Sequence, residues 1–320
     1  MARAARIDEH PGTVKTGGMP ELPEVHALAT DLGSRLRGRV VDRLEVLAFA
    51  ALKTVDPPVS ALSGRTVTDV VRHGKFLDLV FDEPWHEELH LVVHLARAGW
   101  IRWREAAPQR SGRPGKTPLA ARLVLDDGTG HDGTTLAKGS GFDITEAGSK
   151  KSLAIHIVRN PRQVPGIARL GPDPLDPGFT LEHFQRILAA GERRQIKGLL
   201  RDQSVIAGIG NAYSDEILHT ARMSPFKPSA MTPDDAARLF EAMQATLRAG
   251  VERADGLAAS ELKGEKKSGM QVHGRTGEAC PVCGDTIRQV SYTDSTFQYC
   301  PTCQTGGKPL ADRVLSRLLK

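Results

Sequence analysis

The only four cysteines of this 320-residue chain fall in two pairs near its C-terminal end: Cys280-Pro-Val-Cys283, then sixteen intervening residues, then Cys300-Pro-Thr-Cys303. Two CxxC knuckles at this separation predict a tetrahedral metal site, because each tight turn aims two sulfurs at one ion and soft thiolates suit zinc. The alternatives are disulfides and a redox pair. Residues 1–18 contain two acids, Asp8 and Glu9, and no apolar run of the kind a secretory leader needs, which argues against disulfides. No βαβ pattern surrounds the pairs, which argues against redox chemistry. With no fifth ligand nearby, the expected group is one structural Zn2+, supplying folding energy to a segment poor in large apolar residues.

A second candidate is Ala207-Gly208-Ile209-Gly210-Asn211, followed by a helical pattern. Glycines let backbone amides approach an anion closely, and a helix N-terminus aims unsatisfied N–H groups at the same point. Asn211 can cap that helix or donate to a phosphate oxygen, and Lys197 lies shortly before it. An ordinary helix–helix corner would also use such glycines. Lys197, Asn211 and the cysteine ribbon together favour a phosphate clamp for nucleic acid. A third candidate is Met19-Pro20-Glu21-Leu22-Pro23-Glu24-Val25. An internal proline has only an amide nitrogen, and here it could simply open a helix. A proline at a chain terminus is a secondary amine able to attack an aldehyde-like sugar carbon, with a neighbouring carboxyl such as Glu21 moving protons.

These residues must be positioned by three kinds of element. One helix is predicted from Pro23 to Leu36, with Val25, Leu28, Ala29 and Leu32 on one face. Alternating or β-branched runs at Val40–Val46, Phe76–Phe81 and Leu153–Val158 predict a β domain reaching to about Pro165, with a hairpin loop over Asp126–Gly141. Gly171–Pro177 is a stiff linker. Beyond it, helices are expected from Thr180 to Ala190, Arg194 to Gln203, Ala212 to Ala221 and Pro233 to Arg253, with Thr180 and Thr232 as caps. Lys263–Ser268 is expected to be a polar stretch leading into the zinc element. No internal repeat is visible. The fold class is therefore multidomain α+β, divided as a 1–18 extension, a β domain over 19–165, a helical domain over 178–268, a zinc element over 270–305 and a basic tail over 306–320.

Composition narrows the partner. With 40% hydrophobic residues the chain can fill two or three cores. No apolar run is long enough to span a bilayer, so no membrane partner and a cytoplasmic location are expected. Net charge is only +5, but Leu91–Leu123 carries seven basic residues (Arg97, Arg102, Arg104, Arg110, Arg113, Lys116, Arg122) against Glu105 alone, a surplus suited to a phosphate backbone.

Four separated blocks give the chain a resemblance to the formamidopyrimidine-DNA glycosylase / endonuclease VIII family: MPELPEV at 19–25, RHGKFLDL at 72–79, GIGNAYSDEIL at 208–218, and HGRTGEACPVCG to CPTCQ at 273–304. The resemblance implies an N-terminal β-sandwich with a helix, a helix–two-turn–helix DNA-binding domain and a zinc-ribbon finger. It implies a base-excision-repair glycosylase with AP lyase activity that acts as a nucleoid-associated monomer on damaged double-stranded DNA and removes oxidised bases. Pro20, freed as the chain terminus after translation from Met19 and removal of that methionine, would form a Schiff base at the deoxyribose C1′. Glu21 would protonate the ring oxygen. Lys75 would contact the flanking phosphates and assist elimination. Lys197 and Asn211 would hold the kinked DNA backbone, and Cys280, Cys283, Cys300 and Cys303 would hold the zinc. From position alone, His94, ending a strand beside a basic loop, is either a DNA contact or a packed strand-end histidine, and Arg275, beside a turn before Cys280, is expected at the DNA backbone rather than at a base. The target base would be flipped out.

The chain departs from that pattern in several places. Arg97 stands where one branch of the family has an intercalating methionine, and its planar head can stack in the same way. The Arg/Phe loop of that branch has no match over Phe142–Ser152. Ser295 stands where an arginine usually engages the lesion phosphate, so β-elimination is expected and δ-elimination loses its support. The segment before His273 is short, which shortens any loop over the base. Two rival readings are a non-catalytic sensor of damaged DNA and a zinc-ribbon protein that binds RNA.

Overall fold

The computed structural model describes residues 19–83, 86–106, 118–126, 128, 133, 135, 137, 139–147, 150–292 and 295–311. The expected 1–18 extension, residues Arg110, Arg113 and Lys116 of the basic stretch, and most of the basic tail lie outside them.

Helix α1 (Leu22–Leu36) begins where Glu24 reaches back to accept from the Glu21 N–H at 2.8 Å. Leu28, Leu32 and Leu36, four residues apart, share one face and are fully buried or nearly so. Each such burial contributes about 2 kcal/mol. They pack on two four-stranded antiparallel sheets. One has the order β1 (Val41–Val46), β6 (Leu119–Leu125), β7 (Gly141–Glu146), β5 (Gly99–Arg104). The other has the order β2 (Thr66–His73), β3 (Phe76–Glu83), β4 (His86–His94), β8 (Ala154–Val158). The register Leu77↔Val93↔Ile155 and Leu79↔Leu91↔Ile157 puts apolar side chains of three strands in one row. These face Ile101, Leu123, Phe142 and Ile144 of the first sheet in one core. The alternate residues of the second sheet pack under the short helix α2 (Pro165–Ala168) through Phe76, Val92 and Val158.

The helical part contains α3 (Leu181–Ala190), α4 (Ile196–Arg201), α5 (Asn211–Thr220) and α6 (Pro233–Ala254). Thr180 and Thr232 cap α3 and α6 by accepting from His183 N and Asp235 N, as the sequence predicts. The polar stretch expected at Lys263–Ser268 is instead a helix, α7 (Leu262–Gly269). It lacks an apolar period because only two of its residues, Leu262 and Lys266, are buried. The ribbon is a hairpin of β9 (Arg288–Ser291) and β10 (Thr296–Tyr299), followed by the single turn α8 (Pro301–Thr305).

The two large cores interlock rather than meet at a linker. Leu22 of α1 lies in the helical core, while Ala254, Ala259 and Leu262 lie in the sandwich core. The Trp100 indole of β5 fixes this crossing by donating to Ala259 O at 2.8 Å. Among the described residues no helix is long and apolar enough to cross a membrane.

Candidate active site

The start of α1 and the start of α5 meet head to side, and the glycines of Gly208-Ile209-Gly210 make this possible. A Cβ at Gly210 would stand 2.4 Å from the Glu21 carboxyl carbon, and one at Gly208, whose φ is +87°, would stand 2.8 Å from the Leu22 side chain. The Leu22 N–H donates to Gly208 O at 3.0 Å. The Glu21 carboxylate then accepts from Gly210 N at 2.6 Å, Ala212 N at 2.9 Å and Tyr213 N at 3.2 Å. The glycine turn is thus an anion clamp, as its pattern predicts, but the anion it holds is a carboxylate of its own chain. Gly210 takes the N-cap position, and Asn211 is the first helical residue rather than the cap.

Around Glu21 lies a buried set of charges. Glu24 Oε2 is 2.7 Å from Lys266 Nζ, and Tyr213 donates its hydroxyl to Glu24 Oε1 at 3.0 Å. Lys266 Nζ also donates to Met19 O at 3.0 Å and stands 3.8 Å from Glu21 Oε1. Lys75, in the β2–β3 turn, is buried beside them. Burial pushes the Glu21 carboxyl up, but Lys266, Lys75 and the Ala212 N–H outweigh it and leave Glu21 below the ordinary carboxylate range. Burial, reinforced by Glu21, raises Glu24. The two lysines separate. Burial lowers Lys75 despite Glu21, whereas for Lys266 the pull of Glu24 and Glu21 exceeds the burial penalty and raises it. Opposite shifts on neighbouring groups of one type are what divided acid–base roles require. Pro20 is buried at the edge of this cluster.

Lys197 differs from its expected place. It is 5% exposed, its Nζ is 2.6 Å from Asp215 Oδ1, and it donates to Ser214 Oγ and Asn211 O. It therefore braces α5 from inside and does not face solvent. Asn211 donates through Nδ2 to Thr296 O at 2.6 Å, tying α5 to the ribbon, while its Oδ1 is buried without a hydrogen bond. Asp215 also contacts His273 Nδ1 at 2.7 Å and accepts from Gln298 N at 3.1 Å. Glu216 accepts from the backbone of Gln271, Val272 and His273.

The remaining expected residues fall into two groups. His94 ends β4 near Lys75, and Arg97 lies in the β4–β5 turn. His94 packs against Phe76 in a tilted contact with ring centroids 4.6 Å apart, and burial, with Lys75 and His156 nearby, lowers its pKa to about 4, so the ring is neutral near pH 7. Arg97 is exposed at the tip of the turn. Arg275 stands apart from them, paired with Glu278 at 2.7 Å and donating to Met270 O. The four cysteines close on one point. Cys280 and Cys303 sulfurs are 3.9 Å apart, Cys283 and Cys300 sulfurs 3.3 Å apart, and all four lie within 4.8 Å of one another. A tetrahedral ion with metal–sulfur bonds of about 2.3 Å requires edges of about 3.8 Å, so the donor set fits zinc.

Residues 19–135 match the family description "Formamidopyrimidine-DNA glycosylase N-terminal domain", and residues 170–261 match "Formamidopyrimidine-DNA glycosylase H2TH domain". The formamidopyrimidine-DNA glycosylase of Moorella thermoacetica is 34% identical over 280 residues, covering 85% of this chain and 94% of that protein. The chain belongs to the formamidopyrimidine-DNA glycosylase family. It is accordingly a DNA glycosylase of base-excision repair.

Other relatives frame that family membership. An "uncharacterized formamidopyrimidine-DNA glycosylase-like protein" of Mycobacterium tuberculosis is 56% identical over 152 residues, 47% of this chain and 94% of its own length. The crystal structure of the MutM (Fpg) protein of Thermus thermophilus superposes with a TM-score of 0.71 at 28% identity, covering 91% of this chain and all of that one. The Lactococcus lactis enzyme, solved non-covalently bound to DNA containing an AP site, has the same fold at a TM-score of 0.73 and 22% identity, over 89% and 99% of the two chains.

Lys266, Tyr213, Asp215 and Glu216 escape the sequence reading of this glycosylase site. Glu24 was detectable in principle, since Glu21-x-x-Glu24 before an apolar run is a capping pattern. Nothing in the local sequence distinguishes Lys266 from Lys263 or Lys267.

Proposed function

We propose that this glycosylase acts on oxidised bases in duplex DNA and is bifunctional, cutting the strand through a Schiff base formed by Pro20. The observation that carries this reading is the convergence of Pro20, Glu21 and Lys75 where the α5 N-terminus holds Glu21 in its anionic form. The reading requires a free ring nitrogen on Pro20, hence removal of residues 1–19.

In this mechanism the pyrrolidine nitrogen attacks the deoxyribose C1′. Glu21, ionised at neutral pH, takes the amine proton and passes it to the ring oxygen as the C1′–O bond opens; the Pro20 nitrogen lone pair then expels the base, which takes a proton from solvent, and the C1′=N+ iminium is left. Lys75, with its pKa lowered by burial, serves the flanking phosphates and the β-elimination that follows. Arg97, exposed beyond His94, is suited to fill the stack when the base is flipped. Asn211 and Arg275 approach the backbone from the α5 and ribbon side, while Lys197 acts only by bracing α5. One zinc held by Cys280, Cys283, Cys300 and Cys303 would shape the ribbon.

Borohydride trapping on a duplex carrying one abasic site tests this reading. The expected result is a covalent adduct mapped to Pro20 and absent from Pro20→Gly. A purified chain that retains residue 19 and forms no adduct would instead be a sensor that binds damaged DNA without cutting it.

A further inference from the structure

Lys266 is buried, protonated and adjacent to the proposed nucleophile, yet the mechanism above gives it no task. Its Nζ lies 3.0 Å from the carbonyl oxygen of Met19 and 2.7 Å from Glu24 Oε2. The Met19 carbonyl carbon is bonded directly to the Pro20 nitrogen, is trigonal, and carries an oxygen. When an amine adds to an aldehyde, the carbinolamine carbon is likewise bonded to that nitrogen and likewise carries an oxygen. The Met19 carbonyl therefore marks where C1′ and its oxygen stand once Pro20 has attacked. The ammonium group already donates to an oxygen in that place. We propose that Lys266 is the acid that protonates the C1′ hydroxyl of the carbinolamine, so that water leaves and the Pro20 iminium forms. This rests on the Pro20 reading and deepens it.

The step balances. The pyrrolidine N–H adds across the C1′ aldehyde, giving N–C1′–OH. Lys266 then gives one proton to that hydroxyl, the C1′–O bond breaks, and the nitrogen lone pair forms the C1′=N+ bond. Water departs and Lys266 is left neutral, to be reprotonated in the reverse step when water hydrolyses the final imine. The groups facing Lys266 are Glu21 and Glu24 of α1, Tyr213 of α5, and Lys75 of the β2–β3 turn. The two carboxylates hold its pKa above the ordinary lysine value, so it keeps its proton across the neutral range. Burial moves Lys75 the other way. The proton is thus held at Nζ by geometry and charge together, within hydrogen-bond distance of the oxygen that marks the leaving hydroxyl.

The test is the rate of borohydride trapping from pH 6 to 9 on a duplex with one abasic site, beside affinity for a duplex carrying a tetrahydrofuran analogue. Lys266→Met is paired with Glu24→Gln so that no acid is left buried without a partner. This double variant should bind the analogue within about threefold of the unaltered protein and trap at least about 100-fold more slowly at pH 8, the low end of a general acid's contribution. Its rate relative to that of the unaltered protein should also rise about tenfold for each unit fall in pH, because solvent hydronium must now supply the proton that Lys266 otherwise gives. Lys266→Arg keeps the charge and the Glu24 pair but donates poorly, so it should fold normally and trap about tenfold more slowly. A native rate in Lys266→Arg, or a native rate and pH profile in the double variant, overturns the assignment while leaving Pro20 intact. Absence of any Pro20 adduct from the unaltered protein refutes the Pro20 reading itself.

Discussion

Replacing Gly210 by alanine would put a methyl carbon 2.4 Å from the Glu21 carboxyl carbon and 2.6 and 2.7 Å from its two oxygens. Ordinary contact for such a carbon begins at 3.4 Å, so the carboxylate must retreat by about 1 Å. Glu21 is 3% exposed and held by three backbone N–H groups, and a shift of that size breaks one or two of them. Hydrogen bonds to a charged group contribute roughly 1.5–3 kcal/mol each, so losing one or two gives a loss of about 1.5–6 kcal/mol in stability. The catalytic loss should be larger in proportion, because misplacing a reacting group by about 1 Å can cost about 100-fold in rate. Gly198→Ala is the control. No atom lies within 4 Å of the added methyl group, and alanine in helix α4 should add about 0.5–1 kcal/mol. Urea unfolding and single-turnover excision, run on both variants, measure these quantities. If Gly210→Ala excises bases at the native rate, the claim that this turn exists to hold Glu21 is refuted.

Two other perturbations reach different parts of the molecule. His94 has its folded pKa lowered to about 4 against an ordinary value near 6.5, so the unfolded chain binds more protons between those values. Its contribution to stability is therefore complete above about pH 6.5 and is lost as pH falls through about 4, by at most about 3 kcal/mol at 1.36 kcal/mol per unit; unfolding midpoints of His94→Gln should lack that part of the acid slope, and an unchanged slope would exclude it. Removing the metal with a chelator should disorder the ribbon and weaken binding to an abasic-analogue duplex at least about tenfold, with elemental analysis giving one zinc per chain beforehand; a chain that purifies without metal and binds as tightly would contradict the zinc assignment.

The parts of this fold that show in the sequence are those where one local rule dominates. Threonine caps at Thr180 and Thr232, the leucine face of α1 and the two cysteine knuckles each depend on a few neighbouring residues. The failures are long-range. Lys263–Ser268 has no apolar period, yet it forms α7 because Leu262 is drawn into the sandwich core and Lys266, one turn later on the same face, into the charge cluster. The glycine turn announced an anion, but whether that anion is a ligand or a carboxylate 189 residues earlier cannot be read from spacing. Lys197 illustrates the same limit. A lysine shortly before such a turn suggests a phosphate contact, and only the burial of Asp215 explains why it turns inward.

Helix α5 explains why the chemistry and the ribbon belong to one unit. Its first N–H groups hold Glu21, and within its next turn Asp215 and Glu216 hold the strap that enters the ribbon. Glu216 takes the backbone of residues 271–273, and Asp215 takes His273 and Gln298. Burial raises the Glu216 carboxyl even against those three N–H bonds, so the acid tolerates its position only while the strap is in place. Displacing the strap strips Glu216 of its three N–H partners and leaves Asp215 with Lys197, and the least costly response is for the helix to shift toward water. A shift of α5 moves Gly210, Ala212 and Tyr213, which are the donors to Glu21. The path from ribbon to Glu21 therefore runs through the first six residues of α5, and losing order at the ribbon weakens the electrostatic hold on Glu21.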